Sequence, residues 1–184
     1  LAASTDEAQR EVGIQIVRQV IDALEGTDFR NAVNMPIVDG QLLEELRPYL
    51  AMAERLGNLQ AQLAEGAVTK VEVAVEGDAI DEHLTPLTIA VLIGLLEPVV
   101  TEPVNYVNAE HVASERGIVV SRMSGLQALD YPNIITSRVE WSGGHHTAAA
   151  TLFSHDEPRI VEVDGYRVDV IPERTILITV SRDQ

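Results

Sequence analysis

Arginine side chains near one predicted hairpin are the groups in this chain best suited to bind an anion. Arg159 and Arg167 come from the two strands that flank residues 164–165, and Arg138 belongs to a neighbouring predicted strand. A guanidinium group presents paired N–H donors that hold a phosphate or a carboxylate bidentately. The sequence therefore offers a candidate anion site on this hairpin.

Surface ion pairs are the alternative role for the same arginines. The chain has 29 Asp and Glu residues against 13 Lys and Arg, and Glu162 and Asp169 lie in the same two predicted strands. Exposed ion pairs are common and contribute little to stability. The residue pattern leaves both interpretations of Arg159 and Arg167 open.

The five histidines do not form a catalytic or metal-binding pattern. His145 and His146 are neighbours in a predicted hairpin, and adjacent residues of a strand point to opposite faces. We expect both to be exposed rather than to share a metal ion. The chain also lacks the Gly-x-Gly-x-x-Gly turn that usually cradles a dinucleotide phosphate. We predict no catalytic residue and no metal site in the chain.

Charge and composition exclude several classes of partner. The formal net charge of −16 repels nucleic acid backbones and anionic lipids, so we predict neither a nucleic acid nor a membrane partner. Cysteine is absent, which excludes disulfides and thiolate chemistry and fits a cytoplasmic location. The most apolar stretch, residues 87–96, is shorter than the roughly 20 residues that a membrane span needs. We expect it to be a buried helix.

Helical patterns dominate the first part of the chain. Pro48 interrupts the second pattern, where it would lose a backbone hydrogen bond, so we predict that a new helix begins there. Thr85 and Pro86 are predicted as the N-cap and first residue of an apolar helix, and Asn108 as the N-cap of a short one. The predicted helices cover residues 5–25, 39–47, 48–63, 85–98 and 109–116.

Alternating apolar residues predict strands in much of the remaining chain. Val71, Val73 and Val75 share one face of such a strand. Asp164-Gly165 is typical of a type I′ turn between two strands. The predicted strands cover residues 68–76, 118–123, 133–141, 146–153, 159–163, 166–170 and 175–180. Helices followed by consecutive antiparallel strands favour an α+β fold with a largely antiparallel sheet.

Several segments, in order along the chain, carry a family resemblance. They are residues 2–9 (with Ala-Ala-Ser-Thr and Glu-Ala-Gln), 30–36 (Arg-Asn-Ala-Val-Asn-Met-Pro), 104–109 (Val-Asn-Tyr-Val-Asn-Ala), 115–118 (Glu-Arg-Gly-Ile) and 157–169. They resemble segments of the long, type 1 D-3-phosphoglycerate dehydrogenases, which belong to the D-2-hydroxyacid dehydrogenases. In that resemblance the catalytic histidine would stand immediately before Leu1.

The resemblance implies a domain organisation and an activity. Residues 1–38 would be the tail of the nucleotide-binding and substrate domains. Residues 39–173 would form an intervening domain that binds an allosteric substrate, and residues 174–184 would begin a strand of an ACT domain. The parent enzyme would oxidise 3-phosphoglycerate to 3-phosphohydroxypyruvate with NAD in serine biosynthesis, as a homo-oligomer. The chain alone would be inactive, because the catalytic histidine and the NAD cradle lie outside it.

The resemblance also implies roles for particular residues. Leu1, Ala2 and Ala3 would approach the nicotinamide end of NAD. Arg159 and Arg167 would bind 3-phosphoglycerate or a similar phosphorylated effector.

Two alternatives to a regulatory role follow from the same resemblance. Ile171 falls where the best-defined site of the family has a second arginine, so this chain departs from the family pattern there. The domain could instead be a purely structural spacer or dimerisation module. It also resembles the beta domain of L-serine dehydratases, and a shared fold does not decide between these roles.

Overall fold

The structure, a computed structural model, describes residues 6–24, 40–124, 131–154, 156–173 and 175–179. The chain divides into two compact units, Leu1–Leu46 and Arg47–Gln184. The described helices are α1 (Asp6–Leu24), α2 (Gly40–Leu63), α3 (Leu84–Leu96) and α4 (Ala109–Glu115). The described strands are β1 (Val68–Glu76), β2 (Val119–Ser124), β3 (Ile134–Trp141), β4 (Gly144–Phe153), β5 (Glu157–Val163) and β6 (Tyr166–Val170). Four helices and one sheet confirm the predicted α+β class.

Helix α1 confirms the helix predicted over residues 5–25 to within one residue at each end. Its apolar side chains are about half exposed, for example Val17 at 58% and Ile16 at 53%. Most of the stability of a helix in a protein comes from burial of its apolar face. The described residues leave much of this face of α1 uncovered.

Helix α2 passes through Pro48 without a break, so the predicted helix boundary at Pro48 is wrong. A proline inside a helix removes one backbone hydrogen bond and strains the turn before it. Burial of Leu50, Met52 and Leu56, each at most 5% exposed, favours the helical conformation through this point. Packing therefore outweighs the local cost of the proline.

Helix α3 forms the centre of the core, and every residue from Pro86 to Leu96 is buried. The helix begins at Leu84, so the predictions of Thr85 as its N-cap and of Pro86 as its first residue are wrong. His83 holds the N-cap position after a 3₁₀ turn at Asp81–His83. Pro86 still lies in the first turn, where backbone N–H groups have no helical partner. By length and composition alone Asp81–Val99 could cross a membrane, but 61% of that window is buried inside the protein.

Two glycines allow α2 and α3 to cross with their backbones in contact. A Cβ atom at Gly57 would overlap the carbonyl oxygen of Val91 on α3. A Cβ atom at Gly94 would overlap the carbonyl oxygen of Glu54 on α2. The crossing therefore requires glycine on both helices.

The six strands form one mixed sheet in the order β2-β1-β3-β4-β5-β6. β1 and β2 are parallel, joined through α3 and α4, and every other neighbouring pair is antiparallel. This confirms the largely antiparallel sheet. Val71, Val73 and Val75 are fully buried on the face that packs against α3, as predicted. We call the opposite face the open face, and its polar side chains include Lys70, Glu72, Arg138, Glu140, Arg159, Glu162, Arg167 and Asp169.

Helix α4 begins after an interlocked pair of asparagines. Asn108 holds the predicted N-cap position, but its side chain does not cap the helix, so that part of the prediction is wrong. Its Oδ1 instead accepts from the Asn105 N–H at 2.7 Å, and its Nδ2 donates to Pro103. Asn105 Oδ1 in turn accepts from the N–H groups of Val107 and Asn108. The asparagine side chains thus provide hydrogen-bond partners for backbone groups of the loop that precedes the helix.

The turn between β5 and β6 confirms the type I′ prediction. Asp164 and Gly165 both have positive φ, at 51° and 81°. The strand predicted over residues 175–180 is wrong within its described part, because residues 175–179 belong to no strand of the sheet. A strand needs a hydrogen-bonded neighbour, whatever the β-propensity of its residues.

Candidate functional site

Arg159 lies near the start of β5 on the open face, with only 16% of its side chain exposed. Its Nε lies 3.2 Å from Asp169 Oδ1, and its Nη2 donates to Glu157 Oε2 at 3.2 Å. Nη1 donates to the Pro158 carbonyl oxygen at 3.3 Å. The guanidinium carbon lies 5.5 Å from the centroid of the Phe153 ring, within cation–π distance. The side chain is therefore held in one orientation by contacts from β4, β5 and β6.

Arg167 shares the open face with Arg159. The β5–β6 ladder places it directly opposite Glu162, two residues before Asp169 on β6. Ile171, which follows β6, is 47% exposed. The structure thus places Arg159 and Arg167 on one face of the β5–β6 hairpin. Glu162 and Asp169, the carboxylates considered above as ion-pair partners, lie on the same face.

A line of alternating charges continues across the open face to β1. Arg138 Nε donates to Glu140 Oε1 at 2.9 Å and lies 3.6 Å from Glu72 Oε2. Lys70 Nζ lies 3.0 Å from the other oxygen of Glu72. The hydrogen bond from Arg138 lowers the pKa of Glu140 below its ordinary value. Arg138 is thus already paired with two carboxylates.

The two histidines of the β3–β4 hairpin point to opposite faces, as the strand alternation predicts. His145 lies opposite Glu140, and His146 lies opposite the buried Val139. His146 Nδ1 lies 2.6 Å from Asp164 Oδ2, and its ring centroid lies 5.2 Å from that of Trp141. The His146 side chain is only 25% exposed, so the prediction that it would be exposed is wrong. Among the described residues no cluster of three or more possible metal ligands occurs.

A half-buried carboxylate on α2 was not identified from the sequence. Tyr106 Oη donates to Glu54 Oε1 at 2.9 Å, which fixes the loop before α4 to α2. Burial raises the pKa of Glu54, although the hydrogen bond from Tyr106 acts in the opposite direction. Burial, together with the charge of Glu54, raises the pKa of the Tyr106 hydroxyl. Tyr106 lies 52 residues from its partner, so no local pattern signals this contact.

The core contains one polar connection that the sequence also does not reveal. Gln60 on α2 is fully buried, and its Nε2 donates to the Ser137 carbonyl oxygen on β3 at 2.6 Å. Gln60 Oε1 and Ser137 Oγ are buried and have no hydrogen-bond partner among the described residues. Burial of a polar atom without a partner costs free energy. The hydrogen bond links α2 to the sheet, and burial of the two unpartnered oxygen atoms reduces the net gain in stability.

The predicted cofactor contacts, Leu1, Ala2 and Ala3, lie outside the described residues. Gly143 and Gly144 lead into strand β4 rather than into a helix, so they do not form a dinucleotide cradle. On the open face, the structure brings the arginines predicted to bind an anion into contact with carboxylates.

Comparison with known proteins identifies the family of this chain and several of its relatives. The family model described as the D-3-phosphoglycerate dehydrogenase intervening domain matches residues 45–164. A D-3-phosphoglycerate dehydrogenase of Synechocystis sp. is 39% identical over all of this chain, which covers 33% of that protein. One of Archaeoglobus fulgidus is 33% identical, with 35% of its length covered. The chloroplastic D-3-phosphoglycerate dehydrogenase 3 of Arabidopsis thaliana is 40% identical, with 34% covered.

The sheet, its helical cover and its charged open face define a small α+β domain rather than a nucleotide-binding βαβ fold. The chain belongs to the D-3-phosphoglycerate dehydrogenase intervening domain family, as the resemblance in the sequence predicted. It spans about a third of the length of the curated relatives that it matches. The L-serine dehydratase alternative is not favoured, because these relatives are named as dehydrogenases.

Proposed function

We propose that this chain is the intervening-domain segment of an enzyme that oxidises 3-phosphoglycerate with NAD in serine biosynthesis. The family match over residues 45–164 and the names of the relatives support this proposal. We place the enzyme in the cytoplasm as a homo-oligomer, in keeping with the absence of cysteine and the acidic balance.

The residues of this chain do not fit an NAD site of their own. When bound, NAD accepts a hydride from the carbon that is oxidised. Its pyrophosphate needs a glycine-rich turn that opens a helix, and the sequence contains none. We therefore assign NAD binding and catalysis to the rest of the enzyme.

We propose that the open face binds a phosphorylated small molecule at Arg159, with Arg167 beside it. The observation that carries this proposal is the difference in exposure between Arg159 and its partners. The arginine side chain is 16% exposed, whereas those of Glu157 and Asp169 are 57% and 69% exposed. Exposed ion pairs are weak, so a phosphate dianion can displace these carboxylates while Phe153 holds the guanidinium in place.

Titration calorimetry of the chain with 3-phosphoglycerate tests this site. We expect saturable binding that Arg159→Ala weakens at least tenfold, because charge-assisted hydrogen bonds to phosphate are lost. Arg122→Ala is the matched control, since Arg122 pairs with Glu110 at the far edge of the sheet. Absence of binding, or equal weakening by both substitutions, would contradict the site.

The second candidate role is a structural module that joins subunits. It is favoured by the two carboxylates that already occupy Arg159, because a purely structural ion-pair network needs no ligand. Light scattering distinguishes the roles. A stable dimer whose mass and stability do not respond to 3-phosphoglycerate would support the structural module against the sensor.

A further inference from the structure

The two edges of the sheet differ in how they are protected against pairing with another strand. An edge strand presents unpaired backbone N–H and C=O groups, and proteins protect it with a short strand, a bulge, a proline or charged side chains. The β6 edge is protected in several of these ways. β6 is five residues long, its register against β5 shifts between Ile160 and Glu162, and it carries Arg167 and Asp169.

Strand β2, at the opposite edge, lacks most of this protection. Its six residues pair with β1 in a regular parallel register, and they include no proline, no lysine and no acidic residue. Its one charged side chain, Arg122, already pairs with Glu110 on α4. In the part of the chain that the structure describes, β1 is the only strand beside β2. The outer row of backbone groups on β2 therefore has no strand partner there.

Two large apolar side chains of β2 are exposed on the open face. Val119 is 60% exposed and Met123 is 44% exposed. They lie in register with Lys70 and Ala74 of β1, so they share the open face with these residues. Ser121 lies between them on the same face, because residues two apart in a strand point the same way. An exposed apolar pattern on a strand with free backbone groups is typical of a strand that pairs with another chain.

A second copy of β2 matches this pattern in one particular register. When two β2 strands run antiparallel about a two-fold axis at Ser121, Val119 of one copy lies directly opposite Met123 of the other. The symmetry repeats this pair on the other side of the axis. Residues directly opposite each other in an antiparallel pair share a face and contact one another. All four exposed apolar side chains are then paired, and the two small serines meet at the axis.

The charge of the chain also favours β2 as the point of contact between copies. With a net charge of −16, two copies repel each other over most of their surface. Residues 116–129, which contain β2, include two arginines and no acidic residue. The repulsion between two copies is therefore weakest where these segments approach each other.

We propose that β2 is a contact between two copies of this chain, paired antiparallel about a two-fold axis at Ser121. The pairing joins two six-stranded sheets into one continuous sheet. This inference rests on the homo-oligomer of the proposed function and identifies a surface that forms it. Three strands separate β2 from β5, so the pairing leaves Arg159 accessible to a phosphorylated ligand.

Sedimentation velocity of the 184-residue chain over a range of concentrations tests the contact and its register. We expect a monomer–dimer equilibrium that Val119→Lys and Met123→Glu each weaken about fivefold or more, because a charge then faces an apolar side chain. The double variant Val119→Lys/Met123→Glu should restore the dimer, since each introduced lysine then faces an introduced glutamate of the other copy. Failure of the double variant to restore the dimer would overturn the register.

Control substitutions distinguish β2 from the other exposed apolar surfaces. Val17→Lys on α1 and Tyr166→Lys on β6 alter side chains that are 58% and 74% exposed, and both should leave the dimer unchanged. Higher salt should strengthen the dimer, because it screens the repulsion between the acidic copies. Circular dichroism confirms that each variant is folded.

Two results would overturn the assignment of β2. One is a chain that stays monomeric up to about 1 mM. The other is a dimer that survives both Val119→Lys and Met123→Glu, in which case the homo-oligomer stands and forms through another surface. Arg159→Ala should leave the dimer unchanged, so failure of the phosphate site and failure of the β2 contact are distinguishable.

Discussion

Two buried hydroxyl groups in the sheet show how one hydrogen bond decides whether a polar residue stabilises the core. Ser137 on β3 is fully buried, and its Oγ has no partner among the described residues. Thr151 on β4 is 1% exposed, and its Oγ1 donates to the Asn133 carbonyl oxygen. Desolvation of a buried hydroxyl without a hydrogen bond destabilises the folded state, whereas a hydrogen bond offsets this cost.

Removal of these hydroxyls should therefore have opposite effects on stability. Ser137→Ala is expected to leave the free energy of unfolding unchanged or to raise it by up to about 1 kcal/mol. Thr151→Val should lower it by about 1 kcal/mol, because the Asn133 carbonyl loses its donor. Urea denaturation of both variants measures the difference, and a loss above 1 kcal/mol in Ser137→Ala would show that its hydroxyl is bonded.

Glu54 should make the stability of the domain depend on pH. Burial raises its pKa in the folded state above the ordinary value of 4.5, so the folded protein holds this proton more tightly than the unfolded chain. The contribution of Glu54 to the free energy of unfolding is largest below pH 4.5, and it is lost as the pH rises through the folded-state pKa.

Tyr106→Phe tests the same pair directly. It removes the hydrogen bond that lowers the pKa of Glu54, so the carboxyl group should titrate at a still higher pH in the variant. NMR detection of the carboxyl carbon follows this titration. Tyr131→Phe is the control, because Tyr131 stacks on Phe153 and should leave Glu54 unaffected. A Glu54 pKa that is unchanged or lower in Tyr106→Phe would show that the bond does not stabilise the carboxylate.

At the scale of the elements, periodic patterns in the sequence predict most of the helices and strands. The features that they do not predict depend on contacts between residues that are distant in the sequence. The alternation in β1 and the Asp164-Gly165 turn are local signals, and both predictions are confirmed. Pro48 locally disfavours a helix, but burial of the apolar side chains around it outweighs this preference. The partners of Glu54 and Gln60 lie 52 and 77 residues away, so a single sequence cannot reveal them.

The crossing of α2 and α3 should be intolerant of any side chain at its two glycines. Gly57→Ala or Gly94→Ala forces the helices apart, and overpacking of this kind costs roughly 1–3 kcal/mol or more. Gly13→Ala on α1 is the control, because a Cβ there meets nothing within 4 Å and alanine favours a helix. Thermal and urea unfolding compare the three variants. Equal stability of Gly94→Ala and Gly13→Ala would contradict the close crossing.

At the scale of the whole molecule, the described residues form one six-stranded sheet that offers no cradle for a dinucleotide. The sequence has no glycine-rich dinucleotide turn, and it spans about a third of the length of its relatives. We therefore expect the purified chain to form no NADH from 3-phosphoglycerate and NAD, measured by absorbance at saturating substrate. Turnover by this chain alone would contradict the assignment of catalysis to the rest of the enzyme.

We propose that the Asp169 carboxylate competes with phosphate for Arg159, and calorimetry of Asp169→Asn with 3-phosphoglycerate tests this competition most directly. If the Asp169 carboxylate only occupies the guanidinium until a phosphate replaces it, its removal should increase the affinity for 3-phosphoglycerate about three- to tenfold. Arg159→Ala should weaken the same binding at least tenfold. Unchanged or weaker binding in Asp169→Asn would show that Arg159 serves the β5–β6 hairpin as a structural ion pair and not as a phosphate site.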